Sequence, residues 1–231
     1  MADSPDKIRG QASGQQLIYN QMLRIMGEPK QHIELVSAYF VPTRRGTDYL
    51  ASLAQNRIKV RVLTNSFAAN DVAVVHAFYK KYRHDLLKNG VQLYEFKPYI
   101  ERKKRTWYEV MTGNVIPAKG KSASSLHAKF FDIDGMVFIG SFNFDPRSAM
   151  LNCEMGFLID SPEMASRVGH TFRGPLDQVS YRPELTADDR MIWRETEASG
   201  EVVTWQQEPG ATLFQQVALA VIGILPIEWM L

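Results

Sequence analysis

HAKFFDIDGMVFIGSFN, residues 127–143, reads as a β-hairpin with chemistry at its open end. Two apolar runs, KFFDI and MVFIGS, flank Asp134-Gly135. That dipeptide suits a type I′ turn, which needs positive φ at both central positions. His127 and Lys129 are one residue apart on the first predicted strand, so their side chains share a face. Gly140-Ser141-Phe142-Asn143 closes the second strand. A histidine beside a fixed ammonium, with Ser141 and Asn143 at a nearby strand end, suits an oxyanion such as a phosphodiester. The lysine supplies charge, and the serine and asparagine supply oriented donors. Glu154 falls on the next predicted strand, Glu154–Ile159, placed to accept from the other imidazole nitrogen and support positive charge on His127. Asp134 sits in the turn, where holding the loop and touching substrate both stay open. Each piece alone has a bland structural reading. Together they specify seven positions over 28 residues, which chance rarely produces.

Outward from the hairpin the pattern is α/β. A helix is predicted from about Gln15 to Met26, closed by Gly27. The apolar run Ile33–Phe40 reads as a buried strand ending at Pro42, and Val60–Asn65 as a second. Between them, Tyr49, Leu50, Leu53 and Ala54 recur at helical spacing over Thr47–Asn56. Asn70 or Asp71 is expected to cap a long helix whose stripe is Val72, Val75, Tyr79, Tyr82 and Leu86, with Gly90 just past its end. Val91–Phe96 is a third strand. After the hairpin, Ser161-Pro162-Glu163 opens a helix with Met164, Val168, Phe172 and Val179 on one face. Strands alternating with helices imply a layered sheet with parallel pairing.

Three stretches break this regularity. Residues 1–13 are small and polar and read as a linker or tail. Residues 97–121 hold Lys97, Arg102, Lys103, Lys104, Arg105, Lys119 and Lys121 with Trp107, Tyr108 and Gly113, an aperiodic connection of the kind that is functional or disordered. Residues 180–212 are polar and rich in turn formers. The tail, Leu213–Leu231, is apolar but interrupted by Gln215, Gln216 and Pro226, too short to span a bilayer.

Composition narrows the function classes. Of 231 residues, 45% are apolar and 23% charged, an ordinary globular balance. Lys plus Arg number 27 against 25 Asp plus Glu, so bulk charge favours no polyanion and disfavours nucleic acid. The one cysteine, Cys153, forms no internal disulfide and excludes a four-cysteine zinc site. The first fifteen residues lack the apolar stretch of a signal peptide.

His127-x-Lys129-x4-Asp134 followed by Gly140-Ser141-x-Asn143 resembles the signature of the phospholipase D superfamily. AYFVP at Ala38–Pro42, VRVLTN, the helix before VQLYEF, and SFNFDPRS extend the likeness. They are similar to the C-terminal half of bacterial cardiolipin synthases of the type C branch. One departure is a gap between Asp134 and Gly140 shorter by one residue than the usual pattern. The resemblance implies an α/β phospholipase D-like sandwich, a mixed β-sheet flanked by helices on both faces. It implies a catalytic half-domain at 14–180, preceded by the 1–13 linker and followed by a C-terminal extension at 181–231. His127, Lys129, Asp134 and Glu154 become the catalytic set, with Lys129, Ser141 and Asn143 on the phosphate. No metal or organic cofactor is implied.

A phosphohistidine route needs two histidines, one to attack phosphorus and one to protonate the departing alkoxide. This chain has one such constellation, since His32, His76, His84 and His170 lack a lysine two residues on. The partner half comes from an upstream domain or from a second copy. The expected activity is transfer of a phosphatidyl group to phosphatidylglycerol, at the cytoplasmic face of the bacterial inner membrane, on a peripheral enzyme. The basic stretch and the apolar tail are candidates for the membrane surface, and the tail equally for packing on the partner half. Two other readings stay open: a homodimeric phosphodiesterase of the nuclease type, and an incomplete half that binds lipid or a partner without turnover.

Overall fold

The structure is a computed structural model that describes residues 1–98, 125–173 and 175–231. Arg102–Arg105, Trp107, Tyr108, Gly113, Lys119 and Lys121 lie outside the described residues.

Among the described residues nine strands form one mixed sheet: β1 (His32–Ser37), β2 (Lys59–Asn65), β3 (Gln92–Phe96), β4 (Lys129–Ile133), β5 (Met136–Gly140), β6 (Gly156–Asp160), β7 (Ser180–Leu185), β8 (Met191–Thr196) and β9 (Val202–Trp205). Their order is β6-β5-β4-β1-β2-β3-β7-β8-β9. The three central strands β1, β2 and β3 are parallel, and antiparallel strands extend the sheet on both sides. The helices are α1 (Ile18–Met26), α2 (Thr43–Gln55), α3 (Ala73–Lys88), α4 (Pro146–Met150), α5 (Pro162–Thr171), α6 (Pro175–Val179) and α7 (Leu213–Gly223).

Successive strand residues enter opposite cores, as the period of two requires. Leu35, Val62, Leu93, Phe131 and Phe138 pack with Leu50, Tyr79 and Leu86 of α2 and α3. Their neighbours Val36, Leu63, Tyr94, Phe130 and Val137 pack with Val168, Phe172 and Leu176 of α5 and α6. A sheet covered on both faces explains why these strands read as unbroken apolar runs. The flanked mixed sheet expected from the sequence is the architecture found.

The hairpin forms with φ of 51° at Asp134 and 100° at Gly135. Several boundaries differ from the sequence reading. Helix α2 starts at Thr43 rather than Thr47 because Gly46 lies inside it. A Cβ at Gly46 would sit 3.3 Å from the Phe144 ring, so the glycine lets helix and loop approach. Neither Asn70 nor Asp71 caps α3: Val72 occupies the cap position, Asn70 accepts from the Val72 N–H, and Asp71 bonds Tyr39. Strand β1 ends at Ser37, and Phe40 instead bridges to Phe144.

Residues 1–13 are not a free linker. Ala2 pairs with Met155 at the sheet edge, and Asp3 and Lys7 are buried. Nor does the architecture stop at residue 180, because β7 runs through that boundary and β8 and β9 follow. These strands escaped the sequence reading because their side chains alternate with charges. Arg194 pairs with Glu184 at 2.7 Å on the exposed face while Trp193 is buried. Pro183 interrupts the pattern without harming it, since β7 pairs with β3 only at Ser180 and Tyr181. Lys97, counted with the basic stretch, is buried and pairs with Glu195 at 3.0 Å.

A buried charge cluster ties this extension to α3. Arg83 donates to Glu95 at 2.8 Å and to Glu208 at 2.6 Å, and Trp193 donates to Glu95 at 2.9 Å. The His76 imidazole lies 2.7 Å from the Glu208 carboxylate. Burial opposes ionisation of Glu208, but Arg83 and His76 outweigh it and hold the carboxyl well below its ordinary range. A depressed carboxyl stabilises the fold above its unfolded pKa of about 4.3 and loses that contribution as pH falls. Glu208→Ala is expected to cost about 3 kcal/mol at neutral pH, by leaving Arg83 underpaired in the interior. Urea titrations between neutral pH and pH 3 are expected to show a flatter stability profile in the variant than in the wild type.

Candidate active site

Register brings the predicted residues other than Asp134 to one end of the sheet. Ser37, the last residue of β1, lies opposite Lys129, the first of β4. Gly140, the last of β5, lies opposite Gly156, the first of β6. The site therefore gathers at the carboxyl ends of the parallel strands, the usual ligand position in an open α/β sheet.

Each side chain has its own support. The buried Asn65 amide, at the end of β2, donates to the carbonyls of Ala38 and Leu126 at 3.0 Å and accepts from the Leu126 N–H at 2.8 Å. This fixes the chain just before His127. His127 is exposed in the segment ahead of β4 rather than on the strand itself, while Lys129 is half-buried. Lys129 donates to the His127 carbonyl at 3.1 Å. Burial pulls the Lys129 pKa down, against the opposing pull of Glu154, Asp145 and Asp71.

The loop after β5 is held against the end of β1. The Ser37 hydroxyl donates to the Tyr39 carbonyl at 2.6 Å and accepts from the Phe144 N–H at 2.9 Å. The buried Asn143 accepts from the Tyr39 N–H at 3.4 Å, and its amide nitrogen carries no hydrogen bond among the described residues. Gly140 and Gly156 permit the close approach of β5 and β6 there, because a Cβ on either would collide with the other strand and the Phe138 ring.

Glu154 is buried just ahead of β6, not on the predicted strand. Its carboxylate accepts from the Ser141 hydroxyl and, at 3.1 Å, from the Ser148 hydroxyl. Among the described residues it therefore holds these two serines rather than the His127 imidazole, contrary to the expected pairing. Ser141 is fixed further by the Met155 N–H, which donates to its hydroxyl at 3.0 Å. Asp134 is not brought to the group. It lies at the opposite end of β4, where its carboxylate accepts from the N–H groups of Lys30 at 2.6 Å and of Gln31 and His32 at 2.9 Å. Burial raises its pKa, but those three donors outweigh it and the net shift is downward.

Asp145, Ser148, Asn65, Tyr39 and Asp71 were not singled out for the site. Asp145-Pro146-Arg147-Ser148 carries a helix-start signal, and the Asp145 carboxylate indeed accepts from the Ser148 N–H at 2.6 Å. Burial pushes the Asp145 carboxyl up. Tyr39 donates to Asp71 at 3.0 Å, and burial followed by that carboxylate lifts the phenol to about 12. No short motif announces the Asn65 contacts, which exist only once β2 lies beside β1.

Residues 22–174 match the family model described as cardiolipin synthase, PLD-like domain. The chain is 41% identical over its full length to cardiolipin synthase C of Escherichia coli and aligns with the C-terminal half, 47% of that protein. It is 28% identical to an uncharacterized protein of Helicobacter pylori, covering 98% of this chain and 42% of the other. The chain thus spans about half the length of the curated relatives it matches. Among solved structures, NucT of Helicobacter pylori superposes with a TM-score of 0.51 at 14% identity, covering 78% of this chain and 94% of that one. Phosphatidylserine synthase of Haemophilus influenzae gives 0.50 at 16% identity, covering 74% and 37%. These two likenesses concern the fold. With Lys129, Ser141 and Asn143 at one sheet end and the family model matched from β1 through β6, the chain belongs to the cardiolipin synthase, phospholipase D-like domain family.

Proposed function

We propose that this chain supplies one of the two half-sites of a phosphatidyltransferase of cardiolipin synthase type. The carrying observation is that the exposed His127, whose carbonyl accepts from the half-buried Lys129, lies at the same end of the sheet as Asn143, whose amide nitrogen has no hydrogen bond among the described residues. Lys129 and Asn143 suit the non-bridging oxygens of a phosphodiester, with Ser141 held at their edge by Glu154. In this reading the chemistry takes two steps. A histidine nitrogen forms a bond to phosphorus while the bond to the leaving alkoxide breaks, and the second histidine gives that alkoxide its proton. The second histidine then takes a proton from a hydroxyl of phosphatidylglycerol, whose oxygen displaces the first histidine. We assign His127 the acid–base role and place the nucleophile in the other half. A positioned acid of this kind contributes about 10²–10⁴-fold, or roughly 3–5 kcal/mol of barrier.

The spans of the relatives favour an upstream domain as the source of the second half, with a second copy of this chain as the other arrangement. Among the described residues no helix is long and apolar enough to cross a membrane. The tail leaves Leu213, Phe214, Val217, Val221, Ile224 and Trp229 exposed, and Arg147 of α4 donates to the Met230 carbonyl at 3.2 Å. An apolar surface that ends beside the site supports peripheral binding at the cytoplasmic face of the bacterial inner membrane, where the substrate phosphates lie.

The test uses the complete protein with vesicles of phosphatidylglycerol, with and without phosphatidylethanolamine, and plasmid DNA in parallel. Cardiolipin formation detected by mass spectrometry, without DNA nicking, is the expected result. Nicking without lipid product would establish the nuclease reading, and no turnover on either would leave only a binding half. His127→Ala is expected to lower transfer by more than roughly 10³-fold with an unchanged melting temperature. Wild-type turnover in that variant would refute the site assignment. Asp134→Ala, by contrast, is expected to lower stability by about 1–2 kcal/mol through lost N–H acceptors and a strained positive φ, with turnover retained.

A further inference from the structure

The segment ahead of α1 grips the loop that holds Ser141. Asp3 and Lys7 form an ion pair at 2.6 Å with side chains 0% and 2% exposed. The Ser4-Pro5-Asp6-Lys7 turn makes the pairing possible: Ser4 caps a short 3₁₀ helix, and the Lys7 N–H donates to the Ser4 carbonyl at 3.0 Å. Two buried charges are costly to desolvate, and an apolar pair of the same volume often serves stability as well. What an apolar pair lacks is directional bonds, and this pair directs nearly all of its own at one loop.

The Lys7 ammonium donates to the Ser148 carbonyl at 2.8 Å. Asp3 Oδ2 accepts from the Glu154 N–H at 2.9 Å, and the Asp3 N–H donates to the Glu154 carbonyl at 2.8 Å. Asp3 Oδ1 accepts from the N–H of Ile18, a fully buried residue at the start of α1. The pair therefore ties both ends of the 148–154 loop to the core. Those same ends carry the hydroxyl and carboxylate that meet each other and, through Glu154, hold Ser141.

We propose that Asp3 and Lys7 are positioning residues that set the Glu154–Ser141 contact beside His127 and Lys129. They act through the loop and touch no substrate. The consequence is that the stretch entering this half from its N-terminal side is coupled to the site, so a displacement of that stretch moves Glu154. The proposal rests on the phosphatidyltransferase reading for its effect on turnover, but the clamp itself is a statement about the loop.

The test is a double-mutant cycle in the complete protein with Asp3→Asn, Lys7→Met and both together. Each single variant is expected to lower kcat by about tenfold to a hundredfold through misplacement of the loop, with KM for the lipid little changed. The double variant is expected to be no slower than the slower single one. Leu86→Ala, an apolar core change in α3 that removes none of these hydrogen bonds, serves as the control: it lowers the melting temperature with kcat retained. Hydrogen exchange across residues 148–155, read without substrate, is expected to quicken in the Asp3 and Lys7 variants and not in the control. A fall in melting temperature with wild-type kcat would overturn the proposal, as would unchanged exchange in the loop. Wild-type turnover in His127→Ala would instead refute the functional reading, and the exchange result would still decide whether the clamp exists.

Discussion

The register between β1 and β4 is the constraint on which the site depends. The apolar pattern of the two strands sets it, and Asp134 reinforces it by accepting from the consecutive N–H groups of Lys30, Gln31 and His32 at the start of β1. With Ile33 opposite Ile133, the pairing runs to Ser37 opposite Lys129. A slip of one residue would send Lys129 to the other face and exchange Phe130 and Phe131 between two differently shaped cores. The aspartate of the signature thus acts from the far end of the strand, through geometry rather than contact. Its positive φ of 51° is tolerable because an aspartate in a tight turn is among the residues that accept the left-handed region.

From that register the supports follow in order. The β1 end places Ser37 where it accepts from Phe144, and the β2 end places Asn65 where it brackets Leu126. The loop before β4 and the loop after β5 are thereby fastened to two neighbouring parallel strands. His127, whose exposed ring carries no hydrogen bond among the described residues, stands on this scaffold. Rigidity around a free imidazole is what a proton-transfer or nucleophilic group requires, since the cost of orienting it is met in folding.

The sheet was legible where one physical cause dominated. Strands buried on both faces read as apolar runs, and the Asp134-Gly135 turn read from the φ values it needs. The site was legible because its residue types are chemically specific. What escaped depended on partners distant in the chain. Strands β7 to β9 carry Arg182, Glu184 and Arg194 on a solvated face, so their pattern resembled loop. Asp3 and Lys7 looked like tail composition, because only the Ser148 carbonyl and the Glu154 N–H turn those charges inward. Glu154 was found as a member of the group, but its contacts with Ser141 and Ser148 depend on the α4 loop, which no spacing rule describes.

Electrostatics bears on the proposal that this chain supplies a half-site. Lys129 faces the carboxylates of Glu154, Asp145 and Asp71, and burial already disfavours its charge. Among the described residues, a phosphodiester approaching this end of the sheet meets the Lys129 ammonium amid several acidic groups, which is a poor balance for an anion. Part of that acidity is already engaged: Glu154 by two serine hydroxyls, Asp145 by the Ser148 N–H, and Asp71 by Tyr39. The rest favours a cation. In the proposed arrangement a second Lys-bearing half would reverse the sign at the phosphate. The same carboxylates that weaken this end as an isolated anion site thus fit the proposed reading, in which an opposing half would add the positive charge.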